Sequence, residues 1–144
     1  MRLLVAFDGS DGAMAALREA NALARAAGAS VVLLRVLNPL VDAADVVAPS
    51  TAEAMRPVLE HAAVELGTAA EAAGLDPART SREVMEQRHG EDAGDTIVRV
   101  AQEREATMIV IASRRVASVA GTVLGSVTRE VLANAPCPVL VVRP

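Results

Sequence analysis

Lysine, tryptophan and tyrosine are absent from this chain of 144 residues; phenylalanine occurs once, at Phe7, and cysteine once, at Cys137. Each shortage removes a class of chemistry. Without lysine there is no Walker-type phosphate lysine, no Schiff-base nucleophile and no lysine partner for a phosphoaspartate. Without aromatic platforms, the base stacking that supports single-stranded nucleic-acid binding has almost no side chains to use. One cysteine cannot make an intramolecular disulfide, and Cys137, between Pro136 and Pro138, reads as a small core residue. The 14 basic residues are all arginine, are outnumbered by 18 acidic ones and form no basic run, so the stripe expected of a duplex binder is missing. No apolar run approaches the ~18 residues of a membrane span. The early LLVAF is ended by Asp8, too soon for a secretory signal. The expectation is a cytoplasmic protein that engages neither nucleic acid nor membrane.

What is present points to a globular fold. Apolar residues make up 52% of the chain and charged residues 22%, enough to build one core, and a single domain over 1–144 is expected. Short continuous apolar runs, suited to strands buried on both faces of a parallel sheet, occur at RLLVAF (2–7), SVVLLRVL (30–37), TMIVIA (107–112) and PVLVV (138–142). TSREVMEQ (80–87) alternates weakly and reads as a polar, edge-like strand. Helical stripes lie between them. Met14, Leu17, Ala20, Ala24 and Ala27 precede a stop at Gly28; Met55, Leu59, Ala62, Leu66, Ala69 and Ala73 precede Gly74, with Pro57 marking a kink or a first turn. Ser50-x-x-Glu53 has the form of a capping box, Asp92 that of a cap for a helix carrying Ile97, Val100 and Ala101, and Ser126 that of a cap for a helix with Val127, Val131 and Leu132 inward. Residues 38–49 read as the longest irregular segment and 113–124 as a polar loop. The order β-α-β-α-β-α-β-α-β with right-handed crossovers gives an α/β fold, a single open, doubly wound, parallel five-stranded sheet with helices on both faces.

In such a sheet ligands bind beyond the carboxyl ends of the strands, where the winding reverses; with strand order 3-2-1-4-5 that crevice lies between the first and fourth strands. The two loops meeting there are Asp8–Gly12 and Ala112–Ser126, also the most polar strand exits. Asp8 has two roles open to it, turn residue or acceptor for a ribose hydroxyl. Gly125-Ser126 at a helix start can be a plain cap or an anion cradle. Arg114 and Arg115 can be solvated or can pair with phosphate in forked geometry. His61 falls within a helix and His89 beside Gly90, neither with partners at metal spacing. No nucleophile elbow, dinucleotide fingerprint or nucleophile–base pair is found, so the chain does not read as an enzyme.

VAFDGSDGAMAALREA at the start, VVLLRVL in the second strand and LGSVTREVLANAPCPVLVVR at the end resemble the universal stress protein family, from one end of the chain to the other. The resemblance implies cytoplasmic homodimers with strand order 3-2-1-4-5, here pairing through Val139–Val142. It implies ATP, with Mg, or another adenine nucleotide as ligand, and at most slow ATP hydrolysis; some members bind no nucleotide. The family's ATP pattern is Gly, two residues, Gly, nine residues, then Gly-Ser or Gly-Thr. The register here is Ala112-Ser113-Arg114-Arg115, nine residues, Gly125-Ser126: spacing kept, both earlier glycines replaced. Asp8 matches the ribose-contacting aspartate and Val36 the valine whose backbone meets adenine. The candidate ligand set is Phe7, Asp8, Val36, Ala112, Ser113, Arg114, Arg115, Gly125, Ser126 and Val127. The expected function is a stress-response regulator acting on a still unknown protein partner. The alternative is a nucleotide-free dimeric interaction module with the 113–124 loop as its surface. A substrate-adenylating enzyme, suggested by the Asp8–Gly12 loop, lacks the glycine-rich pyrophosphate loop it would need.

Overall fold

The apolar runs form the centre of the molecule because each carries branched or long aliphatic side chains on both faces of its strand. β1 (Arg2–Ala6) leads into α1 (Asp11–Ala27), then β2 (Ser30–Leu37), a short helical turn α2 (Pro39–Asp42) and the long α3 (Ala52–Ala72). A 3-10 turn at Pro77–Arg79 enters β3 (Thr80–Glu86), followed by α4 (Ala93–Glu103) and β4 (Met108–Ala112). Two short strands, β5 (Arg115–Ser118) and β6 (Gly121–Leu124), then α5 (Ser126–Asn134) and β7 (Val139–Val142), complete the chain. The computed structural model describes residues 1–42, 52–113, 115–118 and 121–143, with 115–118 and 121–123 as backbone alone. The capping box at Ser50 therefore lies outside the described residues.

β3-β2-β1-β4-β7 form one five-stranded sheet, and its four strand pairs are all parallel. The strand order is the 3-2-1-4-5 of the sequence reading. α1 and α3 cover one face: Leu3, Val5 and Leu33 of the sheet pack with Leu17, Ala20 and Leu66 of the helices. α4 and α5 cover the other, where Leu4, Val32, Leu34 and Ile109 meet Ile97, Val100 and Val131. Alanines on the inner side of α1, Ala13, Ala16, Ala20 and Ala24, let that helix lie close to the sheet.

Helix ends follow the chemistry of their residues. Ser10 caps α1 by accepting from Ala13 N–H, and Gly28 ends it in the left-handed region at φ 64°. Asp92 and Asp95 form a reciprocal capping box at α4, as the sequence predicts for Asp92. α3 runs unbroken from Ala52 through Pro57, so Pro57 sits inside the helix rather than opening it. The polar strand β3 does lie at a sheet edge.

Four expectations need correction. Residues 38–49 are not wholly irregular, because Asn38 caps the α2 turn by accepting from Leu40 N–H at 3.0 Å. The 113–124 loop is in part an antiparallel hairpin, with Arg115 opposite Leu124 and Ser118 opposite Gly121. Ser126 is the first helical residue of α5; Gly125 is the cap, and no side chain caps this helix. Leu132 faces outward at 44% exposure while Val131 is fully buried, because the inward face of α5 is narrower than the Val127–Leu132 stripe implies.

Candidate functional site

The winding of the sheet reverses between β1 and β4: one crossover leads from β1 to β2, the other from β4 toward β7. Beyond the carboxyl ends of these two strands lies a cavity of about 420 Å³, within the range of small-molecule sites. Its walls are mostly apolar. Ala6 and Phe7 come from the end of β1, Leu34 and Val36 from β2, Ile111 and Ala112 from β4, and Ala93 and Ile97 from the first turns of α4. The polar groups are gathered at two strand exits: Asp8 and Ser10 after β1, and Ser126 and Thr128 at the start of α5.

Asp8 is held by a local turn. Its Oδ1 accepts from Ser10 N–H at 3.0 Å, and Ser10 Oγ in turn accepts from Ala13 N–H at 3.1 Å. The carboxylate is thereby linked to the first turn of α1. Gly9, between them, has φ +83°, a conformation that side-chain-bearing residues rarely adopt. Among the described lining residues Asp8 is the charged one.

The opposite wall is the start of α5. Gly125 caps it in extended conformation, its carbonyl accepting from Arg129 N–H at 3.0 Å, and among the described residues no side chain caps the first turn. The starts of α1 and α4 are closed by Ser10 and by the Asp92–Asp95 box, so α5 is the helix start at this cavity whose donors and positive dipole end are left to a ligand. α5 is fixed to the sheet by Thr128, 3% exposed, whose Oγ1 donates to the Ala112 carbonyl at 3.4 Å.

Seven of the predicted residues line the cavity: Phe7, Asp8, Val36, Ala112, Gly125, Ser126 and Val127. Ser113 does not; it is buried behind the wall, with its N–H donating to the Val142 carbonyl at 2.9 Å. Arg114 lies outside the described residues, and Arg115 opens β5. The sequence reading missed Ala6, Ser10, Ala13, Leu34, Ala93, Ile97, Ile111 and Thr128 as lining residues. The available signal was the cap at Asp92: a helix beginning there, with Ile97 on its inner face, has to start beside the strand ends of the same sheet edge.

Among the described residues no group of three His, Cys, Asp or Glu could hold a metal ion, and no helix is long and apolar enough to cross a membrane. Another hollow, about 230 Å³, lies at the amino-terminal edge of the sheet between Arg25 and Arg79 and contains none of the predicted residues.

Comparison with known proteins bears on this geometry. The model of the universal stress protein family matches residues 1–143. A universal stress protein of Thermus aquaticus is 33% identical over 141 residues, covering 98% of this chain and 97% of the relative. The solved structure of a universal stress protein from Archaeoglobus fulgidus is 27% identical, with a TM-score of 0.67 over 98% of this chain and 97% of the other. A structure of a universal stress protein from Archaeoglobus fulgidus in complex with dAMP is 26% identical, with a TM-score of 0.63 over 98% of this chain and 96% of the other. The chain, matched over nearly its whole length in sequence and in fold, belongs to the universal stress protein family.

Proposed function

We propose that this protein binds an adenine nucleotide in the crevice between β1 and β4 and acts in the cytoplasm as a nucleotide-responsive regulator of a stress response. The observation that carries the reading is the meeting of Asp8 and the start of α5, where Gly125 brings no side-chain cap, across one largely apolar cavity. The base would lie against Val36, Leu34 and Ile97. Asp8 would accept a hydrogen bond from a ribose hydroxyl, while the first-turn N–H groups of α5 and the Ser126 hydroxyl would receive phosphate. The dAMP complex of the Archaeoglobus fulgidus relative supports an adenine ligand. ATP with Mg is the ligand we favour, and binding rather than turnover is the activity. At most slow ATP hydrolysis would accompany it.

The β5–β6 hairpin connects Ser113, bonded to β7, with Gly125 at the cavity wall. A nucleotide that prefers one position of this hairpin would shift the surface it presents to a protein partner, by its differential affinity for the two states. Ala112 and Arg115 stand where the family's ATP pattern has glycine, and the paired hairpin in this segment favours the second reading, a nucleotide-free interaction surface.

Calorimetric titration of nucleotide-stripped protein with Mg-ATP separates the two. Saturable micromolar binding, weakened about tenfold or ~1.4 kcal/mol by Asp8→Ala, is expected. No heat at millimolar ATP from a folded protein would leave the interaction module as the surviving reading.

A further inference from the structure

Arg35 is an anomaly in β2. It lies one residue beyond the Ala6–Leu34 pair, level with the strand exit that carries Asp8, on the same face as the buried Leu33. Its Nε is buried and has no hydrogen-bond partner. Glu65 Oε2, from α3, is 3.8 Å away, an ion pair too long to be a hydrogen bond. The Arg35 side chain is 19% exposed and that of Glu65 32%, so a partly desolvated guanidinium draws the Glu65 carboxylate to its side. The other oxygen, Oε1, occupies the space that Gly9 leaves by having no side chain: a Cβ there would lie 2.5 Å from it. Gly9 is the middle residue of the turn in which Asp8 accepts from Ser10 N–H.

We propose that Glu65, anchored by Arg35, is a positioning residue for Asp8: a carboxylate that never touches the ligand sets the accuracy with which ribose is recognised. The turn at Gly9 has glycine's freedom and is supported from beneath by the Glu65 oxygen. Without that support it would sample other conformations, and the direction that this turn gives the Asp8 carboxylate would be less well defined. The inference rests on the reading that Asp8 receives a ribose hydroxyl.

The test uses two readouts on the full chain. The first is amide exchange at Ser10 without ligand, expected to be about tenfold faster in Glu65→Ala, the change that accompanies ~1.4 kcal/mol of lost local protection. The second is the ratio of Kd values for ATP and its 2′,3′-dideoxy analogue. Glu65→Ala is expected to reduce the preference for ATP about fivefold or more while the dideoxy ligand binds as before. Glu65→Gln, which keeps the shape beneath Gly9, should retain most of the preference. Because Glu65→Ala leaves the partly buried Arg35 without its counter-charge, Glu65→Ala with Arg35→Met supplies a variant without the stranded charge, and it should lose the preference equally. Equal weakening of both ligands would mean a structural role only and would overturn the proposal, as would an unchanged ratio. A wild type that binds neither ligand would instead remove the nucleotide reading, and the Ser10 amide would then decide: faster exchange keeps Glu65 as the support of the Asp8 turn, and unchanged exchange removes it.

Discussion

Glu91 is a carboxylate strongly perturbed by its surroundings. Arg99 donates to it twice, Nε to Oε1 at 2.9 Å and the second guanidinium nitrogen to Oε2 at 3.1 Å; Thr96 Oγ1 and Arg88 N–H donate to Oε2 as well. The Arg99 hydrogen bonds are the main cause of a carboxyl pKa lowered from 4.5 to about 2, with burial opposing them. A group whose pKa is depressed by folding adds stability above its unfolded pKa and loses it as the pH falls through the folded one. The contribution of Glu91 is therefore complete above about pH 4.5 and fades between there and about pH 2. Glu91→Gln should be less stable than wild type at pH 7, and the gap should narrow toward pH 2.5. Urea denaturation at both values measures it, and a constant gap would mean that the ionised form has no special role. The same scale shows what sequence could reveal of the site. Asp8 was legible because a carboxylate at a strand exit ended an apolar run. Glu65 and Arg35 were not, because each falls within a regular element and only the fold brings them under Gly9.

At the scale of elements, the cavity depends on how closely α4 and α5 approach, since one supplies Ala93 and Ile97 and the other Ser126 and Val127. Gly94 permits that approach. A Cβ on it would lie 2.6 Å from Glu130 Cβ and 2.7 Å from Glu130 Cγ. The nearer atom is fixed to the α5 backbone, so relief requires the helices to move apart. Alanine has better helix propensity than glycine by ~1 kcal/mol, but overpacking a tight contact costs about 1–3 kcal/mol. Gly94→Ala should lose about 1 kcal/mol net, read as a lower urea midpoint with an unchanged slope. A variant as stable as wild type would show that the α4–α5 spacing is soft. The elements themselves were mostly legible, through apolar runs for strands, spacing for helices, and Asp92 and Gly28 as punctuation. The β5–β6 hairpin was not. Its strands have four residues each, and Ala, Ser and Gly interrupt whatever alternation Val116 and Val123 provide, so pairing rather than pattern defines them.

For the whole molecule, a parallel sheet of this topology ends in two edges of different chemistry. β3 is rich in charged residues, whereas β7 is Val-Leu-Val-Val with Leu140 exposed at its surface. That order was legible because right-handed crossovers leave few arrangements of five such strands. How the molecule treats its apolar edge is a matter for solution. Pro138 and Val142 turn their carbonyls toward β4, accepting from Ile109 N–H at 3.0 Å and Ser113 N–H at 2.9 Å. In a parallel ladder the intervening residues then point the other way, so Val139 and Val141 present their backbone groups to the outside. An apolar strand with an unpaired ladder invites pairing with another chain, and a second copy across a two-fold axis would satisfy the same groups on both sides. We therefore expect a homodimer through Val139–Val142. Val141→Pro removes an outward N–H while leaving the bonds to β4 in place, and Leu140→Arg adds a charge to the same patch. Light scattering coupled to gel filtration at about 100 μM should give a dimer for wild type, with a Kd in the micromolar range or tighter, and monomers for both variants. Unchanged circular dichroism would establish that the variants remain folded. A dimer that survives both substitutions would have to use another surface, and a monomeric wild type would leave β7 as an edge guarded by its shortness alone.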